Sequence, residues 1–148
     1  MKNLFDAARV KEIKERVWHL TPQSPRQWGT MPVVEMVAHC SVGMQMALGD
    51  VVFKGKFMGR IIGRIIKPMV FKDDEPFRRN SPTMLVVLNR GSLGVEQEKL
   101  CRLIDRFAEA GPAGCSKHPH SFFGELTPEE WAILTYKHLD HHLRQFGA

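Results

Sequence analysis

Two histidines four residues apart, His138 and His142, stand in an apolar stripe of this 148-residue chain. Read around a helix at ~100° per residue, Trp131, Leu134, Thr135, His138, Leu139, His142, Gln145 and Phe146 share one face. Lys137, Asp140 and Arg144 fall on the opposite side, and His141 lies at the stripe's edge. That spacing lets one helix offer two imidazole nitrogens to a single metal ion. The same exercise groups Val33, Met36, Val37, His39, Cys40, Gly43, Met44 and Ala47, so a third imidazole, His39, points inward from a different helix. Gly43, one turn further on, weakens that helix but lets another helix or a ligand come close.

Three neutral imidazoles around a divalent ion, with one or more positions left to water, is the donor pattern of a catalytic site rather than a closed structural one. Each ring also needs a partner for the nitrogen turned away from the ion. Glu35, one turn before His39, and Gln145, three residues after His142, are the candidates. Taken singly, His39 reads better as a core histidine bonded to a nearby oxygen than as a ligand, and the His138 and His142 pair lacks the glutamate of the zinc-protease HExxH pattern. Three inward histidines with no acid in the same stripes favour a shared ion, since each buried group left unsatisfied costs on the order of 1–3 kcal/mol.

Other signals are weaker. His118 and His120, with Cys115 just before them, have irregular spacing for a second metal site. A loop over 115–124 that includes Phe122 and Phe123 is also placed to close over the triad, with His118 or His120 as acid or base, or simply to plug one end of the domain. Cys40, Trp131, Met36 and Met44 read as core. Arg60, Arg64 or the Arg78 and Arg79 pair are candidates to hold an anionic substrate near the site.

The elements that must position these residues are helices. Asp6 caps a first one over 7–20, on which Val10, Ile13, Val17 and Leu20 recur at threes and fours. Thr30 and Pro32 read as cap and first-turn proline of a second, ending near Gly49. A third runs over 95–110 to the Gly111 and Pro112 stop. The last runs over 128–146 behind Thr127, Pro128 and Glu130, a capping box with a first-turn proline. The stretch between the second and third is too long to be featureless. It holds a short basic amphipathic helix over 57–67, ended by Pro68, and a weak, unpartnered strand signal over 84–88. The expected architecture is one all-α domain over 1–148, a four-helix bundle with a long crossover between its second and third helices.

Composition agrees with one packed domain, since 43% hydrophobic content is enough for a core. The formal charge of +5 is too mild to argue for nucleic acid, and the basic residues are not interleaved with a set of aromatics. Three cysteines do not make a disulfide framework, and residues 1–17 lack the apolar run of a secretory signal, so a reduced, cytoplasmic setting is expected. No stretch is long and apolar enough to span a bilayer. The basic segment with its interleaved isoleucines raises docking on an anionic membrane, but in a compact domain such a segment buries its apolar side on its own bundle, so a membrane is not an expected partner. A metal-free, histidine-lined interaction protein is the remaining alternative.

Three stretches carry a family likeness: Trp28-Gly29-Thr30-Met31 leading into Met36-Val37-Ala38-His39-Cys40; Lys117-His118-Pro119-His120-Ser121-Phe122-Phe123-Gly124; and Tyr136-Lys137-His138-Leu139-Asp140-His141-His142-Leu143-Arg144-Gln145-Phe146-Gly147. In these the chain resembles the DinB/YfiT-like superfamily of metal-dependent four-helix bundles, and most closely its branch of small bacterial proteins grouped as domain of unknown function 1569. The likeness covers nearly the whole chain. Members of the superfamily place one ligand histidine on the second helix and two, four apart, on the last, followed by a glutamine. That pattern falls on His39, His138, His142 and Gln145. The resemblance implies a divalent ion, zinc or nickel, and a small-molecule substrate. For some relatives it implies transfer or isomerisation of groups with a low-molecular-weight thiol cosubstrate, and homodimers are frequent. For this branch it implies no particular reaction, so a metal-dependent transferase or hydrolase is the expected class.

Overall fold

The computed structural model describes residues 1–80 and 90–148. Five α-helices occur among them: α1 (Ala7–His19), α2 (Val33–Leu48), α3 (Phe57–Val70), α4 (Leu93–Ala110) and α5 (Pro128–Gln145), with a short 3-10 turn at Gly111–Gly114. The described residues contain no strand, only an isolated antiparallel bridge between His120 and Gly124. The strand signal over 84–88 lies outside the described residues.

Local chemistry explains where most helices begin. Asp6 accepts from Ala8 N at 2.8 Å to open α1. Thr127 accepts from Glu130 N at 3.2 Å while Glu130 accepts from Thr127 N at 2.8 Å, so the capping box of α5 is complete. Three boundaries differ from expectation. Thr30 does not cap α2; Pro32 holds the cap position in extended backbone, its carbonyl accepting from Met36 N at 2.9 Å. A proline drives the residue before it out of the helical region, so Met31 cannot join the helix and α2 starts beyond the proline. α3 passes through Pro68 to Val70, because proline removes one donor and Phe71 N still closes the last turn on Lys67 O at 3.2 Å. α4 begins at Leu93 rather than Val95, since Leu93 is itself buried and Glu96 accepts from Gly91 N at 2.7 Å.

α1 and α2 each pack on α4 and α5. Their shared core comprises Ile13 and Val17 of α1, Met36, Val37, Cys40 and Met44 of α2, Leu100, Ile104 and Phe107 of α4, and Trp131, Leu139 and Leu143 of α5. Each of the larger apolar side chains contributes about 1.5–3 kcal/mol by leaving water. Cys40, Cys101 and Cys115 are all free and buried.

α5 is buried far beyond its apolar stripe. Lys137 and Asp140, expected on a solvent face, are 5% and 7% exposed. Lys137 Nζ donates to Val70 O at 2.8 Å and Asp73 O at 2.9 Å, while Asp140 takes Arg16 Nη1 and Arg144 Nε, each at 2.8 Å. The end of α3 and the segment after it therefore cover one side of α5, and α1 covers another. Polar residues are tolerated there because each one is paired.

α3 also departs from expectation. It approaches the protein through Gly63, where a Cβ would overlap the Phe122 carbonyl. Most of its large apolar residues face outward: Phe57, Met58, Ile61, Ile62, Ile65 and Met69 are all exposed, while Val70 packs against the core. The ground for setting a membrane partner aside, burial of this apolar side on the domain itself, is not met. Among the described residues no helix is long and apolar enough to cross a membrane.

Candidate metal centre

His39 from α2 meets His138 and His142 from α5 in a nearly equilateral triangle. Ring centroids lie 4.8 Å apart for His39 and His138, 4.8 Å for His39 and His142, and 4.7 Å for His138 and His142. One ring nitrogen from each falls within 4.8 Å of the other two, and among the described residues this is the one such group of three or more histidine, cysteine or acidic side chains. His39 Nε2 and His138 Nε2 are 2.9 Å apart. Two bare lone pairs repel at that distance, so either one nitrogen carries a proton or both share a cation.

Glycine sets the approach of the two helices. A Cβ on Gly43 would stand 3.0 Å from His138 Cε1 and Nδ1, so the His138 ring lies in the space that any other residue would fill. A second glycine, Gly29 at φ +75°, plays the same part for Gln145, whose Nε2 would be 2.8 Å from an added Cβ.

Gln145 decides the tautomer of His142. Its Nε2 donates to Trp28 O at 3.0 Å, a bond that only the amide nitrogen can make, so Oε1 is the atom 2.9 Å from His142 Nδ1. An amide oxygen only accepts; Nδ1 therefore carries the proton, and the lone pair of Nε2 is left for the triangle. Gln27 N donates to Gln145 O at 2.8 Å and fixes the loop against the same residue.

All three rings are held neutral. Burial, with repulsion from neighbouring histidines behind it, pushes His39 down to about 4, His142 to about 3, and His138 well below the usual imidazole range. Neutral imidazoles keep the lone pairs that a cation needs. His39 and His142 are buried, and His138 is partly so.

A family model described as a protein of unknown function (DUF1569) matches residues 5–148, from just before α1 and through all three histidines. The chain belongs to the DUF1569 family. No curated protein and no solved structure matches it.

Within this DUF1569 chain the remaining candidates separate. Gln145 meets its histidine; Glu35 does not, since its carboxylate pairs with Arg90 at 2.8 Å, and His39 Nδ1 is buried without a hydrogen-bond partner among the described residues. His120 serves the loop: its Nδ1 accepts from Phe122 N and Phe123 N, each at 3.1 Å, and burial pushes it down to about 4. His118 is exposed and makes no ring contact or hydrogen bond with the triad. Cys115 is buried, its thiol directed at the Gly111 and Pro128 carbonyls, each at 3.8 Å, so no site forms with His118 and His120. Burial raises the Cys40 thiol far above its ordinary range, as suits a core residue. Arg60 and Arg64 are exposed on α3, while Arg79 lies with its Cζ 4.4 Å over the Trp28 ring.

Two participants were not legible as such in periodicity. Trp28 works through its backbone carbonyl, which leaves no trace in residue type. His141, placed at the stripe's edge, is buried with its ring 5.1 Å from that of His142. The adjacent histidines of the sequence were the one signal for it.

Proposed function

We propose that this DUF1569 protein binds one divalent cation, zinc or nickel, through His39, His138 and His142, within a four-helix bundle of the DinB/YfiT-like type that α3 crosses. The observation that carries this reading is the convergence of three neutral imidazole nitrogens within 4.8 Å, one with its tautomer set by Gln145. The donor set fits a borderline cation such as zinc or nickel, which nitrogen ligands suit. The unpartnered His39 Nδ1 fits less well, since a ligand ring ordinarily has that nitrogen bonded.

Bound there, the ion would supply a Lewis acid able to acidify a water or a low-molecular-weight thiol and polarise an electrophilic small molecule, the chemistry of a metal-dependent transferase or hydrolase. The chain's own residues supply the rest. Burial keeps the imidazoles neutral, and Gln145 and Trp28 O hold the His142 ring.

Protein purified without an affinity tag is expected to carry about one zinc or nickel per chain by elemental analysis. Its chelator-treated form should gain on the order of 4 kcal/mol of stability at a thousandfold excess of ion over Kd, read as a rise in Tm. Metal-free protein whose Tm does not move with either ion overturns the reading.

One observation favours a second use, the outward apolar arc of α3. Lys54, Lys56, Arg60, Arg64 and Lys72 accompany it, with no acid anywhere in 51–72, while Lys67 is turned inward to Glu130 at 2.8 Å. We infer that α3 lays this arc on an anionic bilayer. Vesicles containing phosphatidylglycerol should carry the protein upward in a gradient and vesicles of phosphatidylcholine alone should not. The double change Ile61→Glu, Ile65→Glu should abolish flotation. No flotation, or a dimer that this pair of changes dissociates, discards it.

A further inference from the structure

A cavity of about 320 Å³ lies beside the metal centre, behind His141. That volume suits a small organic molecule. Its walls combine two kinds of chemistry. Trp28 and Phe77 provide aromatic surface, with the His141 ring between them at 5.5 Å and 6.0 Å centroid to centroid. Arg79 and Arg144 provide positive charge, and among the described residues no acidic side chain lines the space.

Both guanidiniums keep donors to spare. Arg79 lies over Trp28, with Cζ 4.4 Å from the ring centroid, and has no carboxylate partner among the described residues. A guanidinium held over a ring in this way still has N–H donors to offer a carboxylate. Arg144 meets Asp140 Oδ2 through Nε at 2.8 Å, a contact that does not use its Nη nitrogens. Asp140 also binds Arg16 at 2.8 Å, so its single charge is shared between two arginines and does not cancel that of Arg144. The Gln27 side chain adds an amide at the rim.

We propose that this cavity binds a small planar organic anion, an aromatic carboxylate, with the ring against Trp28 and Phe77 and the carboxylate on Arg79 and Arg144. A carboxylate matches the guanidinium fork, and a flat ring matches the aromatic walls. The binding itself stands without the metal. Only the further step, that such an anion is the part of the substrate that the metal centre recognises, rests on the function proposed above. The two sites share a wall: the Trp28 residue whose ring lines the cavity holds Gln145 through its carbonyl, and Gln145 holds His142.

Benzoate titrated into chelator-treated full-length protein tests the cavity, followed by calorimetry and by the tryptophan indole signals in NMR, with Trp28→Phe assigning the indole concerned. Saturable binding that shifts the Trp28 signal is expected. Benzyl alcohol, which has the ring without the charge, should bind at least about tenfold more weakly, as should inorganic phosphate, which has the charge without the ring. Arg79→Gln and Arg144→Gln should each weaken benzoate by about tenfold or more. Both side chains are exposed and Asp140 keeps Arg16, so the folded state survives either change, which unchanged Tm values will verify. Absence of saturable benzoate binding, equal binding of benzyl alcohol, or indifference to both substitutions overturns the proposal. Because no metal is present, failure here leaves the metal centre untouched, and success here does not depend on it.

Discussion

Taking the metal-free protein from pH 7 to pH 4 is expected to remove most of its folding stability. The cause is a set of imidazoles that burial keeps neutral. His39 is pushed down to about 4 and His142 to about 3, while in the unfolded chain both return to the ordinary value of 6.5. Above that value neither state takes up a proton and stability is at its plateau. Below it the unfolded chain binds protons that the folded one refuses. Each histidine then costs roughly 1.4 kcal/mol per pH unit until its folded pKa is reached. By pH 4 these two alone remove on the order of 3 kcal/mol each, against a total of about 5–15 kcal/mol for an ordinary domain. His138, which burial holds well below the usual imidazole range, and His120, at about 4, act in the same direction. Denaturant melts at pH 7, 6, 5 and 4 in the presence of chelator should show a steep fall in midpoint beginning below pH 6.5. A midpoint level down to pH 4 would show that the rings are not buried together as described. Metal should delay the fall, since protons must then displace the ion.

Substituting the residues proposed to hold the ion should separate ligands from bystanders. His138→Ala and His142→Ala are each expected to abolish stoichiometric metal. The sharper test is Gln145→Ala, which removes no ligand. Its amide bonds His142 Nδ1 at 2.9 Å and Trp28 O at 3.0 Å, so without it the ring loses both its tautomer and its orientation. Affinity for zinc should fall by about 10–100-fold. Glu35→Ala, by contrast, should leave affinity unchanged, because Glu35 is spent on Arg90. Competition with a chromophoric chelator measures all four. Parent-like affinity in Gln145→Ala, or a loss in Glu35→Ala as large as that expected for Gln145→Ala, would contradict this description of the site.

Gly43 shows how closely a sequence pattern can approach a tertiary fact. A glycine one turn after an inward histidine announced a close approach, and the approaching group is the His138 ring. The pattern named neither the partner nor the distance. Glu35 shows the opposite: correct spacing along α2 put it one turn from His39, yet a distant arginine holds it. His120 likewise had the right residue type for an acid or base, and two backbone N–H groups of its own loop occupy its Nδ1.

Helix periodicity, the Asp6 cap, the capping box at Thr127 and the inward direction of His39, His138 and His142 were all determined by the sequence itself. Each depends on contacts within about four residues, where backbone geometry leaves few alternatives. The tertiary structure alone decided that Lys137 and Asp140 are buried and paired, and that α3 turns its apolar arc outward. It alone brought Trp28 O to Gln145 across 117 positions and formed a cavity between Trp28 and Arg79. Those outcomes come from packing segments far apart in the chain, where the partner of a side chain is set by which surfaces fill the same space and not by its neighbours in sequence.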